Sequence, residues 1–148
     1  MEKTYYAHTS EDGRFHTILE HASDAAKQAA ENAAAFGCAE IGRIAGMFHD
    51  VGKYGDGFQT RLYGSGEPYE HSAAGMRLFL DEVQKTNVRA RKFTAILLAY
   101  IVAGHHTGLP DYGSNASTEN DATIAAKAKR LQSRPNDWEA YKEELGEV

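Results

Sequence analysis

The sequence has little of three things that would narrow its class: cysteine, long apolar runs and positive charge. Cys38 is the single cysteine among 148 residues, so an internal disulfide is impossible and a reducing compartment is expected. The longest apolar stretch, 93–103, is interrupted by Thr94 and Tyr100 and is too short to span a bilayer. The N-terminal residues lead into no apolar segment of the kind that signal peptides contain. We therefore expect a cytoplasmic protein without membrane contact.

The formal net charge of −5 argues against a broadly basic surface of the kind that coats nucleic acids. DNA is not excluded as a substrate, because bound metal ions would supply positive charge locally at the site. A chain of 148 residues is long enough to bury a hydrophobic core without disulfides, and we expect one domain over residues 1–148.

Helical periodicity dominates the sequence, since apolar residues recur at spacings of three and four. The predicted helices cover about 15–36, 39–50, 72–84, 88–104, 118–131 and 137–145. Residues 52–70 contain five of the fourteen glycines together with Pro68, which predicts a long loop. Loops of that length in compact domains are usually functional. No period-two alternation is long enough to predict a strand, so the predicted fold class is all-α.

Histidines stand at the ends of these predicted helices. His49 and Asp50 end one apolar helix, His105 and His106 end another, and His71 precedes a third after the glycine-rich stretch. Side chains at the ends of rigid elements can converge on one point. Imidazole and carboxylate together suit ions such as manganese, iron, cobalt, nickel and zinc. A carboxylate beside a histidine can also bridge two ions about 3.5–4 Å apart, which clamp the attacking and leaving oxygens of a phosphoryl displacement.

Four further residues carry weaker signals. His21 lies inside the first predicted helix, where a lone histidine is more often a core residue than a ligand. Lys53 follows Asp50 by one turn and is either a solvated lysine at a helix C-terminus or a contact to phosphate or leaving group. His8 and His16 have no evident partner and are expected at the surface or facing a substrate.

Several of these residues stand in segments that resemble a known family. The segments are 5–8, 19–21, 45–54, 58–62, 70–75 and 103–111. Together they resemble the HD domain of the CRISPR-associated helicase–nuclease of type I interference systems. The His-Asp pair is shared by the whole HD superfamily, whereas the Gly-Lys-Tyr, Phe-Gln, His-Ser-Ala-Ala-Gly and Gly-His-His segments point to the CRISPR branch.

The resemblance implies an HD-domain helical bundle with long glycine-rich loops around a site for two divalent ions. The ions would be manganese, magnesium, cobalt, nickel, iron or zinc. The implied ligands are His21, His49 and Asp50 for one ion, and Asp50, His71, His105 and His106 for the other. Asp50 would bridge the two ions and Lys53 would lie beside them, which makes these two the expected catalytic residues.

The resemblance also implies an activity and partners. The activity is that of a metal-dependent endonuclease or exodeoxyribonuclease, which hydrolyses phosphodiester bonds of single-stranded DNA in CRISPR interference, an antiviral defence. The implied partners are a helicase domain or subunit and an RNA-guided surveillance complex. The sequence contains no G-x-x-x-x-G-K-[ST] phosphate loop, so this chain is not itself the helicase. The family usually supplies a further aspartate downstream of the His-His pair, so we expect a domain truncated before that helix.

Two other functions remain open at this stage. An HD-type phosphohydrolase of nucleotides or cyclic dinucleotides would use the same metal chemistry in a closed pocket, whereas a polymeric substrate needs an open groove along 52–70. A catalytically weak, truncated docking module would bind metal poorly or not at all.

Overall fold

A computed structural model describes residues 3–9, 13–64, 69–132 and 137–147. The chain is mostly helical, as predicted. In chain order the described elements are β1 (Tyr6–Thr9), β2 (Phe15–Thr17), α1 (Ile18–Ala34), α2 (Ala39–Phe48), a 3₁₀ helix (Val51–Tyr54), α3 (Asp56–Leu62), α4 (Ser72–Lys85), α5 (Arg89–Gly104), α6 (Ile124–Gln132) and α7 (Tyr141–Leu145). No helix among these is both long and apolar enough to cross a membrane.

The chain divides into two compact units. The first comprises Met1–His71 with Asn136–Val148, and the second comprises Ser72–Pro135. In the second unit α4 packs against both α5 and α6. Its buried side chains include Met76, Phe79, Leu98 and Val102. A single domain over residues 1–148 stays a prediction from the sequence.

In the first unit α1 and α2 approach each other closely because small residues line their contact. A Cβ atom at Gly46 would lie 2.5 Å from the carbonyl oxygen of Ala25, and one at Gly42 would lie 2.4 Å from that of Ala29. A larger residue at either glycine would therefore push the helices apart. This contact fixes the end of α2 against the start of α1.

The prediction of a helix from residue 15 and of no strand is wrong at the N-terminus. β1 and β2 form an antiparallel hairpin, and α1 starts only at Ile18. Thr17 caps α1: its Oγ1 accepts the backbone N–H of Glu20 at 3.2 Å, while its own N–H donates to Glu20 Oε2 at 3.1 Å. This reciprocal capping box fixes the junction between strand and helix.

The predicted long loop over 52–70 is wrong for its first part, which forms the 3₁₀ helix and α3. Glycine allows close packing in this first part: a Cβ atom at Gly55 would lie 2.3 Å from the Tyr69 hydroxyl oxygen. Gln59 is buried and its Nε2 donates to the carbonyl oxygens of Lys53 at 2.7 Å and Tyr6 at 2.9 Å. These bonds attach α3 to the segment that carries Lys53. Residues 65–68 lie outside the described part of the chain.

Two predicted helices are shorter than expected. α6 begins at Ile124, because the preceding residues make side-chain bonds of their own, such as Thr118 N–H to Asp121 Oδ2 at 2.8 Å. Ser, Thr, Asn and Asp compete in this way with helical hydrogen bonding. α7 begins at Tyr141. Within the first unit, Glu144 on this helix accepts a hydrogen bond at Oε2 from the hydroxyl of the buried Tyr54, at 2.7 Å.

Candidate metal centre

The buried carboxylate of Asp50 lies at the centre of the candidate site, just after α2. Asp50 is 3 % exposed. Its Oδ2 lies 3.0 Å from Nε2 of His21 and 3.1 Å from Nε2 of His49. The other oxygen, Oδ1, lies 3.2 Å from Nε2 of His71. One carboxylate oxygen therefore faces two imidazoles, and the other faces a third.

The set on the Oδ2 side has the spacing that a metal ion requires. Nε2 of His21 and Nε2 of His49 lie 3.2 Å apart, so the three donor atoms of His21, His49 and Asp50 are mutually about equidistant. An ion with ligand bonds of roughly 2.0–2.2 Å holds neighbouring ligand atoms about 3 Å apart. These residues therefore fit a divalent ion in both donor chemistry and distance.

A backbone hydrogen bond orients the imidazole of His49. His49 is the C-cap residue of α2, and its Nδ1 lies 2.7 Å from the carbonyl oxygen of Gly46. With Nδ1–H donating to that carbonyl, Nε2 is the nitrogen on the Asp50 side: protonated, it donates to Asp50, and unprotonated, it offers its lone pair to an ion. Burial lowers the pKa of His49, but the hydrogen bond and charge of Asp50 and the bond to Gly46 outweigh it, so the pKa is raised above 6.5.

Lys53 belongs to the same cluster, and its interpretation as an ordinary solvated lysine is wrong. It lies on the 3₁₀ helix, where its side chain is 10 % exposed and its Nζ is 2.7 Å from Asp50 Oδ2. The ammonium group also lies 5.5 Å from the centre of the Phe58 ring. The lysine thus presents a positive charge beside the carboxylate on a rigid, buried turn.

His105 and His106 lie in the second unit, at the end of α5 as the sequence predicts. His105 is the C-cap residue of α5, and its Nδ1 lies 2.6 Å from the carbonyl oxygen of Val102. This is the arrangement that His49 makes with Gly46, and it leaves Nε2 of His105 as the potential ligand atom. The His105 and His106 rings adjoin each other, with centroids 4.1 Å apart.

The expectation that His8 and His16 lack partners is wrong. The hairpin pairs them across its two strands, and Nε2 of His8 lies 3.2 Å from Nδ1 of His16. Both rings also approach His21, with centroid distances of 5.4 Å and 6.0 Å. The spacing of these histidines could have indicated the pairing, because two residues that are eight apart around Gly13 become neighbours once a hairpin forms.

An open groove of the first unit adjoins the cluster. A cavity of about 400 Å³ is lined by His8, Lys53, Phe58, Arg61 and His71 among others, and a second of about 320 Å³ is lined by His8, Arg14, Phe15, His16 and Glu20. Phe15, which lines the second cavity, forms a row with two further aromatic rings: Tyr6 and Phe15 have centroids 4.8 Å apart, and Phe15 and Tyr63 have centroids 5.5 Å apart. Phe15 is 43 % exposed and Tyr63 is 62 % exposed. The groove thus combines positive charge with exposed ring faces.

A mostly helical chain with a buried aspartate held among imidazoles at helix ends belongs to the class of HD-type metal-dependent hydrolases. The family described as Cas3, HD domain, matches residues 37–148, and the chain therefore belongs to that family. The matched range contains His49, Asp50, Lys53 and His71, whereas His21 precedes it. A comparison with curated proteins found no match.

Membership in this family fixes the general chemistry. The protein is a hydrolase of the HD phosphohydrolase superfamily, and thus a metal-dependent nuclease or phosphohydrolase. HD domains bind divalent metal ions, and the His/Asp cluster of this chain has donors that could hold one. The family also connects the chain to CRISPR-associated helicase–nucleases.

Proposed function

We propose that this protein is a two-metal nuclease that hydrolyses phosphodiester bonds of single-stranded DNA in CRISPR interference. The observation that carries the proposal is the division of the Asp50 carboxylate. Oδ2 faces His21 and His49, while Oδ1 faces His71. A carboxylate whose two oxygens face different histidines is suited to bridge two ions.

Each proposed residue has a distinct task. Asp50 would bridge the two ions, His21 and His49 would complete the ligand set of one ion, and His71 would belong to the ligand set of the other. We propose His105 and His106 as further ligands of the ion at His71, which is supported by the order of the family segments and by the orientation of His105. Bound divalent ions supply the Lewis acidity that activates water and polarises the phosphate. Manganese, iron, cobalt, nickel, zinc and magnesium are all compatible with mixed imidazole and carboxylate ligands.

Lys53 is proposed to stabilise negative charge during the displacement. Its ammonium group is 2.7 Å from Asp50 and lines the groove that His71 also lines. A preorganised positive charge in a buried position stabilises charge that develops on a phosphate or on a leaving oxygen. This fixed cation beside Asp50 supports the proposed role of Lys53.

The groove favours a polymer over a small nucleotide. His8 and Arg61, which line it, are exposed, so this part of the groove is open to solvent. Arg14 and Arg61 offer charge to a backbone, and the row of Tyr6, Phe15 and Tyr63 offers faces on which unpaired bases stack. We further propose that a helicase domain or subunit, recruited by an RNA-guided surveillance complex in the cytoplasm, delivers the strand.

The test is a direct comparison of substrates. Circular single-stranded DNA, a DNA duplex, mononucleotides and cyclic dinucleotides would each be incubated with the protein and manganese, cobalt, nickel or magnesium. Cleavage of the circle and not of the duplex is expected, with an Asp50→Asn variant as the inactive control. Hydrolysis of nucleotides with an intact circle would overturn the proposal in favour of a phosphohydrolase. Metal-free, inactive wild-type protein would instead favour a docking module.

A further inference from the structure

We propose that His8, His16 and His21 form an additional transition-metal site, distinct in its donor set from the cluster around Asp50. One ring nitrogen from each of these residues lies within 4.8 Å of the other two. The closest pair, Nε2 of His8 and Nδ1 of His16, is already at 3.2 Å. Tetrahedral coordination with bonds of about 2.0–2.1 Å places ligand nitrogens roughly 3.3 Å apart. Small side-chain rotations therefore bring the third nitrogen into range.

The backbone around the three imidazoles is held in place. The register of the hairpin sets His8 opposite His16, and the capping box of Thr17 and Glu20 fixes the short segment that leads to His21. The backbone N–H of Ile18 also donates to the carbonyl oxygen of Tyr5 at 3.0 Å, which ties the start of α1 to β1. Ligands carried on such preorganised elements lose little conformational entropy when an ion binds.

The donor set selects the kind of ion. All three members are imidazoles, which suit zinc, copper, nickel and cobalt, whereas magnesium prefers oxygen ligands and retains its waters. The site is also accessible: His8 is exposed, His16 is half-buried, and both line a cavity of about 320 Å³ on the surface of the first unit. The cluster around Asp50 contains a carboxylate and can take hard as well as borderline ions. His21 is the one residue common to both clusters, and because its Nε2 faces His49 and Asp50, it can bind an ion in each cluster at the same time only as an imidazolate that uses both ring nitrogens.

The experiment measures metal stoichiometry in tag-free protein. Nickel binding would be followed by equilibrium dialysis and calorimetry in the wild-type protein and in a His8→Gln, His16→Gln double variant. The double variant should lose one equivalent of bound nickel, or bind that equivalent at least tenfold more weakly. A Thr9→Ala, Phe15→Ala variant, changed at neighbouring positions of the same two strands, should keep it. Magnesium binding should be the same in all three proteins.

A second measurement needs no substitution. Nickel or zinc should protect His8 and His16 of the wild-type protein from modification by diethyl pyrocarbonate, and magnesium should not. Unchanged nickel stoichiometry and affinity in the double variant, or equal modification with and without nickel, would overturn the proposal. These readouts are independent of DNA cleavage, so a failure of the proposed nuclease function would leave them intact.

Discussion

Gly52 packs directly against the backbone of His71. A Cβ atom at Gly52 would lie 2.2 Å from the carbonyl oxygen of His71 and 2.7 Å from its Cα atom. Contacts this short with backbone atoms cannot be relieved by a side-chain rotation, so any other residue would have to displace the segment that carries His71. The absence of a side chain at Gly52 is therefore what allows Nε2 of His71 to reach Oδ1 of Asp50 at 3.2 Å.

Gly52→Ala should accordingly damage the site through packing. We expect a loss of about 2–3 kcal/mol in the free energy of unfolding, as for other overpacked cores, together with weaker metal binding. Gly64→Ala is the matched control, because a Cβ atom there meets open space. That control should cost only about 1 kcal/mol for its left-handed backbone. Urea unfolding and manganese titration measure both effects, and equal behaviour of the two variants would contradict the role of Gly52.

Asp50 and Lys53 form a buried charge pair, and this makes a prediction about stability. Asp50→Asn leaves the Lys53 ammonium without its 2.7 Å partner, and breaking a buried pair typically costs about 3–5 kcal/mol. Asp50→Asn with Lys53→Met removes both charges and should recover much of that stability. Both variants should fail to cleave DNA and should bind metal weakly. A double variant as unstable as Asp50→Asn, by urea unfolding, would argue against the charge pair.

Lys53→Met alone separates catalysis from metal binding. If Lys53 stabilises charge on the phosphate, its loss should lower kcat by about a hundredfold, as removal of one preorganised donor does. Manganese binding should persist, because Lys53 is a cation and not a ligand. Calorimetry with manganese and single-turnover cleavage of a circular single strand would check the two parts. Loss of metal binding together with activity would assign Lys53 a structural role instead.

Metal affinity should depend on pH through His49. The pKa of this imidazole is raised above 6.5, chiefly by its bond to Asp50 against the opposing effect of burial. Only neutral imidazole binds an ion, so protons compete and affinity should fall as the pH falls through that pKa. Manganese titrations at pH 6, 7 and 8 would show the trend. A constant affinity over this range would contradict it.

The metal-free protein should respond to pH in the opposite sense. A histidine whose pKa is higher in the folded state stabilises the fold below its unfolded pKa, and this contribution is lost as the pH rises through the folded value. Thermal unfolding in chelator should therefore show stability that declines from pH 6 towards pH 8, with saturating manganese reversing the decline. His49→Gln should flatten the metal-free profile.

The aromatic row provides a prediction about substrate binding without cleavage. Stacking of a base on an aromatic ring contributes about 1–3 kcal/mol. Tyr63→Ala should weaken binding of a fluorescent single strand by roughly tenfold in chelator, and Phe15→Ala should have a similar effect. Phe36→Ala is the control, since Phe36 is 72 % exposed and does not belong to the row. Equal losses in all three variants would point to a general effect on the fold.

The sequence by itself determined the mostly helical class and the positions of His49 and His105 at helix ends. Both features depend on interactions between residues that are close along the chain. Apolar spacing predicts helices, and a histidine at a helix C-terminus can donate Nδ1–H to the carbonyl oxygen three residues earlier, as both residues do here. The family segments also indicate Asp50 as the bridging residue, and that role stays a prediction.

Only the tertiary structure decided three other features. The sequence shows Gly52 only as part of a glycine-rich stretch, whereas its close contact with His71 joins it to a segment nineteen residues away. The sequence is compatible with Lys53 either in solvent or beside the site, and its burial depends on packing beside Phe58 and Asp50. His8 and His16 lacked partners in sequence because a short hairpin has too little periodicity to be predicted. The Gly52 contact joins segments that are distant along the chain. The contacts of Lys53 and of His8 with His16 are shorter in range, and they depend on a 3₁₀ helix and a hairpin that are too short for apolar spacing to predict.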